Sequence, residues 1–108
     1  LSDRLDGHWV AGHIDAVGTV LARVSEGDFT RMTFGLPENI CQDVVQKGSL
    51  TVDGVSLTVN QVTERSVDVM IVPETLKKTT LGHKQVGDWV QVELDLIGKY
   101  VKKWMKHD

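Results

Sequence analysis

Cysteine is nearly absent from this chain of 108 residues: Cys41 is the only one. One thiol makes no internal disulfide and no thiolate metal cluster, which is compatible with a reducing compartment. No apolar run is long enough to span a bilayer, and no charged-then-apolar signal segment opens the chain. A basic excess is missing too: the net charge is −3, so neither nucleic acid nor an anionic membrane has electrostatic support as a partner. No phosphate-cradling glycine loop and no Gly-x-Ser-x-Gly elbow occur. A chain that opens on Leu1 rather than Met is expected to be processed or to be a piece of a longer protein.

What is present is an ordinary globular balance, 41% hydrophobic and 25% charged residues. It suits one compact domain with a real core. Short alternating runs dominate. Ile14 to Val24 reads as a mostly buried strand, kinked at Gly18. A turn at Ser25-Glu26-Gly27-Asp28 leads into Phe29 to Leu36, completing a hairpin. Pro37-Glu38-Asn39-Ile40 looks like a helix start, with Ile40, Val44 and Val45 as its apolar stripe and Gly48 as its stop. Leu50 to Val52 is a brief strand, Asp53-Gly54 a turn, and Val55 to Val62 a longer strand. Val67 to Val72 returns, Pro73-Glu74-Thr75-Leu76 begins a helical turn, and Trp89 to Leu94 forms the last strand.

Residues 1–12 read as a lead-in, 13–95 as the body, and 96–108 as a C-terminal helix with Ile97, Tyr100, Val101, Trp104 and Met105 at helical spacing. Lys99, Lys102, Lys103 and Lys106 occupy the rest of that helix as a solvated face. Six short strands in one domain must dispose of their edges, and closure is the usual solution. The expected fold is all-β: a six-stranded Greek-key barrel with short helical connectors and a C-terminal helix.

The chemistry-bearing candidates are sparse. Ser56 and Thr58 lie two apart on one strand face, with Leu57 and Val59 on the other. That pattern alone is also that of an ordinary half-exposed strand. His8 and His13 are five apart and share no face, and no third ligand stands at metal spacing, so no metal site is expected. His13 suits either acid–base work near neutral pH or a plain surface role. Asp95 is either a functional acid or a helix cap. Asp53 reads as a turn residue, Cys41 as packed in its helix, and His83 and His107 as surface residues. On residue types alone, a binding barrel without catalysis fits equally well.

Three ordered stretches resemble riboflavin synthase. They are Gly7-His8-Trp9-Val10-Ala11-Gly12-His13-Ile14-Asp15, Val52-Asp53-Gly54-Val55-Ser56-Leu57-Thr58-Val59, and Val72-Pro73-Glu74-Thr75-Leu76-Lys77-Lys78-Thr79-Thr80-Leu81-Gly82. Val86-Gly87-Asp88-Trp89-Val90-Gln91-Val92-Glu93 follows where the family has its last strand. The family has two similar barrels in tandem and then a helix, and this chain resembles the second barrel plus that helix. The first barrel typically carries a cysteine where this sequence has Ser56, and a Met-Phe-Thr-Gly opening that is missing here.

The resemblance implies a cytoplasmic transferase. It converts two molecules of 6,7-dimethyl-8-ribityllumazine into riboflavin and 5-amino-6-(ribitylamino)uracil, without metal or other cofactor. The substrates sit between the first barrel of one subunit and the second barrel of another. The resemblance implies acid–base roles for Ser56, His13 and Asp95. It implies substrate binding by Lys47, Ser56, Thr58, Val72, Pro73, Glu74 and Thr75. Partners would be the lumazine, riboflavin, the family's first barrel domain, and further copies in a homo-oligomer, a trimer in the full-length family. The stripe on the terminal helix would serve that assembly or cover its own barrel. Alone, the chain is expected to bind ligand but turn over weakly or not at all. The alternative in another class is a non-catalytic lumazine- or flavin-binding antenna protein.

Overall fold

The computed structural model describes residues 13–95. The expected lead-in 1–12 and terminal helix 96–108, with its proposed capping by Asp95, lie outside the described residues. Within them run β1 (Ala16–Glu26), β2 (Phe29–Gly35), α1 (Glu38–Cys41), β3 (Ser49–Val52), β4 (Val55–Val62), β5 (Ser66–Ile71), α2 (Pro73–Lys78), a 3-10 turn (Thr80–His83) and β6 (Trp89–Leu94). The strands close into one antiparallel barrel in the order β1-β2-β5-β4-β3-β6. Closure leaves no sheet edge to protect. Three hairpins supply the local pairings, while β2–β5, β3–β6 and β6–β1 join strands distant in sequence, as in a Greek key.

Turn chemistry places the hairpins. Asp53 (φ 50°) and Gly54 (φ 82°) both take positive φ between the paired Val52 and Val55, as a two-residue type I′ turn requires. At the β4–β5 turn the Thr63 hydroxyl accepts the Ser66 N–H at 3.0 Å. One side of each strand then faces inward. Met32, Phe34, Leu50, Val52, Val59, Val67, Val69, Val90 and Val92 are fully buried, and Leu81 of the 3-10 turn joins them. Each such aliphatic side chain contributes about 1.5–3 kcal/mol by leaving water.

Three local expectations are corrected. β1 is not mostly buried: Val20 is enclosed, but Val17 and Leu21 are 56% and 52% exposed. A single-layer barrel wall has one inward face, so the other parity of β1 stays outside even though it is apolar. The chain is not kinked at Gly18. A Cβ there would stand 2.7 Å from Leu36 Cδ2, so Gly18 permits close approach of β1 to the end of β2. The irregularity falls later, between Val20 and Ala22, where Leu21 turns across Gly35. The helix after Pro37 stops at Cys41, short of Val44 and Val45. Its tail tightens through Asp43 N–H to the Ile40 carbonyl (3.0 Å) and Val44 N–H to the Cys41 carbonyl (3.2 Å). The left-handed residue that redirects the chain is Lys47 (φ 69°), one position before the expected Gly48.

The 3-10 turn after α2 carries no periodic signal in the sequence. It is built by Thr79, whose hydroxyl donates to the Thr75 carbonyl (2.7 Å) and accepts the Leu81 N–H (3.3 Å). Arg23 of β1 clasps it by donating to the Leu81 and Lys84 carbonyls at 3.1 and 2.7 Å.

Candidate functional site

The outer face of the β4–β3–β6 wall carries rows of small polar side chains. Ser56 and Thr58 are exposed, and Leu57 and Val59 beneath them are buried. Antiparallel register sets Ser56 across from Thr51 and Thr58 across from Ser49. Thr51 is in turn paired with Glu93 of β6. One row therefore reads Ser56–Thr51–Glu93. The next row has Thr58 and Ser49, and Ser49 shares a shallow depression with Asp95, Leu94, Asp43, Val44 and Val45. Opposed residues in such ladders have Cβ atoms about 5 Å apart, close enough for one ligand to touch both.

Lys47 joins this wall at its edge. Its N–H donates to the Val59 carbonyl (2.9 Å) while Val59 N–H donates to the Gly48 carbonyl (2.8 Å). That clip holds Lys47 beside β4, one step past Thr58, with an exposed side chain. Because the Val59 amide is spent on the β3 side, strand alternation turns the backbone groups of Thr58 and Ser56 toward β5. The described β4–β5 pairs run from Val62↔Val67 to Val59↔Val69 and stop there. Beyond that point β5 ends and α2 begins, with Val72 preceding Pro73 at the first helical position. Counting three residues from the Val59↔Val69 pair brings Val72 level with Ser56. The corner Val72-Pro73-Glu74-Thr75 thus adjoins the hydroxyl rows, with Val72, Pro73 and Glu74 exposed and Thr75 half-buried.

His13 is exposed and precedes β1. The regular β1–β6 register ends at Ala16↔Val92, three residues after His13. Asp15 secures that end: its N–H donates to the Val92 carbonyl (2.8 Å) and its Oδ2 accepts the Leu94 N–H (2.7 Å). The register sets Ser56, Thr58, Lys47 and the Val72–Thr75 corner near one another on this wall, and Asp95 shares the depression beside Ser49, whereas no contact among the described residues brings His13 to it. Ser49, Thr51, Glu93 and Asp15 were not foreseen in this company. The parity of Ser49 and Thr51 in β3 was a usable signal; their partners on β6 were not.

The rest of the polar chemistry lies elsewhere. Cys41 is buried, and burial above all, with the nearby Glu38 charge, pushes its thiol pKa up. A protonated buried thiol is no nucleophile. Asp53 is more than a turn residue: its Oδ1 accepts the Gln91 N–H at 2.7 Å, and Lys84 Nζ stands 3.6 Å from its Oδ2. No group of three or more His, Cys, Asp or Glu able to hold a metal occurs among the described residues. No helix among the described residues is long and apolar enough to cross a membrane.

Such a wall offers hydroxyls, strand-edge amides and a cation to a ligand with a flat polar edge and a polyhydroxy tail. Known proteins are similar to this chain. A family model described as the lumazine binding domain matches residues 11–95. Riboflavin synthase of Brucella abortus (strain 2308) is 39% identical over 103 residues, covering 95% of this chain and 51% of that protein. Riboflavin synthase of Mycobacterium tuberculosis (strain ATCC 25618 / H37Rv) is 40% identical over 109 residues, covering 98% and 54%. Among solved structures, LumP complexed with riboflavin superposes with a TM-score of 0.69 at 25% identity, over 75% of this chain and 44% of that one. LumP complexed with 6,7-dimethyl-8-(1'-D-ribityl) lumazine gives 0.71 at 24% identity over 80% and 47%, a likeness of fold. The chain spans about half the length of the curated relatives it matches. A family match running from the lead-in to the end of β6, with relatives near 40% identity along almost the whole chain, places it in the lumazine-binding domain family.

Proposed function

We propose that this chain is the second lumazine-binding barrel of a cytoplasmic riboflavin synthase, a transferase, and that its outer β4–β3–β6 wall holds one 6,7-dimethyl-8-ribityllumazine or riboflavin. The observation that carries this reading is the convergence of Ser56, Thr58, Lys47 and the Val72–Thr75 corner beside the point where the β4–β5 pairing stops. The near-40% relatives are riboflavin synthases, which favours the enzyme over a non-catalytic antenna protein.

In this reading the heterocycle lies against the wall with its polar edge on the backbone of Thr58 and the Val72–Thr75 corner. The ribityl chain meets Lys47 and the outward hydroxyls. One bound lumazine gives a four-carbon unit to a second. The products are riboflavin and 5-amino-6-(ribitylamino)uracil, and together they account for all atoms of both substrates. A ring methyl must lose a proton before it can attack, and Ser56, His13 and Asp95 carry the acid–base steps. Proximity of two oriented substrates supplies the largest part of the rate. The second substrate rests on the family's first barrel, contributed by another copy in a trimer. The wall is therefore one side of a two-sided site, and this chain alone binds ligand and turns over weakly or not at all.

Fluorescence titration with riboflavin and with the lumazine tests the pocket; turnover with and without an added first barrel tests the division of labour. Saturable binding plus stimulation by the first barrel supports the reading. Absence of binding by either ligand contradicts it.

A further inference from the structure

The corner that opens α2 has little to fix it at its own end. Val72 caps the helix without a side-chain hydrogen bond, and none of the 6 residues of α2 is buried. Leu76 packs half-buried against the core, and its N–H returns to the Val72 carbonyl at 3.1 Å. So short a helix does not persist in water by propensity alone. Its other end is better held. Thr79 follows α2 in extended backbone (φ −125°, ψ 167°). The Thr79 hydroxyl reaches back to the Thr75 carbonyl at 2.7 Å and forward to the Leu81 N–H at 3.3 Å. Gly82 lies close against the same helix: a Cβ there would run into the Leu76 carbonyl oxygen, a backbone atom. The 3-10 turn is in turn anchored to the barrel. Leu81 is fully buried, and Arg23 of β1 donates to the Leu81 and Lys84 carbonyls at 3.1 and 2.7 Å.

We propose that the 3-10 turn braces the ligand corner, with Thr79 as the positioning residue that couples the turn to α2. The proposal rests on the reading of Val72–Thr75 as a ligand contact. A hydroxyl next to Cβ has little reach, so its two bonds together fix the angle between α2 and the turn. Loss of both bonds leaves the barrel ladders whole but frees α2 to tilt. The backbone groups of the corner then meet the ring's polar edge at poorer angles, and hydrogen bonds weaken steeply as they bend. Thr79 touches no ligand in this account; it acts through Thr75.

The test uses the full chain in three forms: wild type, Thr79→Ser, which keeps the hydroxyl, and Thr79→Val, which keeps the branched shape without it. The first readout needs no ligand. It is hydrogen exchange of the Leu76 N–H, taken relative to the Val59 N–H of the barrel wall. The ratio is expected to rise about three- to tenfold in Thr79→Val and to stay within about twofold in Thr79→Ser. The second is fluorescence titration with riboflavin, on chains that urea unfolding shows to be folded. Affinity is expected to fall about three- to tenfold in Thr79→Val and to stay within about twofold in Thr79→Ser. A merely structural Thr79 would lower the urea midpoint and leave the affinity of the folded chain unchanged. Should Thr79→Val not fold, Arg23→Met releases the turn from β1 at its far side and is expected to weaken riboflavin in the same range. An unchanged exchange ratio, an unchanged affinity, or equal losses in Thr79→Ser and Thr79→Val overturn the proposal. Failure of wild type to bind riboflavin overturns the functional reading instead, and the exchange ratio still decides whether Thr79 holds α2.

Discussion

Ser56 stands directly across from Thr51 in the β3–β4 ladder, and both project from the outside of a closed barrel. The interior beneath them is filled by Leu50, Val52, Leu57 and Val59, so no ligand enters the barrel itself. If the ligand lies on the outer wall as proposed, binding and stability are carried by opposite faces of the same strands, which separates their mutational effects.

Ser56→Ala removes an exposed hydroxyl and leaves the core intact. Its unfolding free energy is expected to stay within about 0.5 kcal/mol of wild type, as for surface changes in general. Riboflavin affinity should fall by about three- to tenfold, the worth of one hydrogen bond. Urea unfolding and fluorescence titration of the same sample read the two quantities. Val59→Ala is the opposite case: a loss of about 1–3 kcal/mol in stability from a fully buried site.

Asp53 ties the β3–β4 turn to β6 through the Gln91 N–H at 2.7 Å. Asp53→Ala leaves that amide without its side-chain acceptor and keeps a non-glycine residue at φ 50°. A loss of about 1–2 kcal/mol is expected by urea unfolding. Asp53→Asn retains the acceptor and tolerates positive φ, so it should recover most of that loss.

At Gly18 an added Cβ would stand 2.7 Å from Leu36 Cδ2, which would have to turn aside, and 3.0 Å from the Gly35 carbonyl oxygen, which is backbone. Gly18→Val should destabilise the barrel by about 1–3 kcal/mol through overpacking. Thermal unfolding measures it, and a neutral result would mean that β1 and the end of β2 are farther apart than described.

The Cys41 thiol pKa is raised above its ordinary value of 9.0, first by burial and then by Glu38. The folded chain therefore holds the thiol proton to higher pH than the unfolded chain does. The associated stability is complete below pH about 9 and is lost as pH rises through the raised folded value. Labelling by a thiol reagent at pH 8 should be slow in native buffer and fast in denaturant, and a Cys41→Ala chain should lack this alkaline component.

Strands β4, β5 and β6 were readable because their inward and outward residues differ in polarity, as in Val55 to Val62. β1 was readable as a strand but its inward face was not, since its outward Val17 and Leu21 are as apolar as its inward Val20. Parity carries no information when both faces look alike. The 3-10 turn depends on one side chain, Thr79, bonding backbone on both sides of itself, which no periodicity records. Ser56 and Thr58 were visible as a pair, but Thr51–Glu93 and the Asp15–Leu94 bond exist only because closure brings β6 between β3 and β1. Residues joined by barrel closure are far apart along the chain, and no local pattern announces them.

The central claim is that the ligand lies on the outer β4–β3–β6 wall beside the Val72–Thr75 corner. Amide-resolved NMR titration of the chain with 6,7-dimethyl-8-ribityllumazine tests it most directly. The account predicts saturable shifts concentrated at Lys47 to Thr51, Ser56 to Thr58, Val72 to Thr75 and Glu93 to Asp95, with Thr30 to Phe34 of β2 unmoved. Shifts concentrated on β2, or none at saturating ligand, would contradict it.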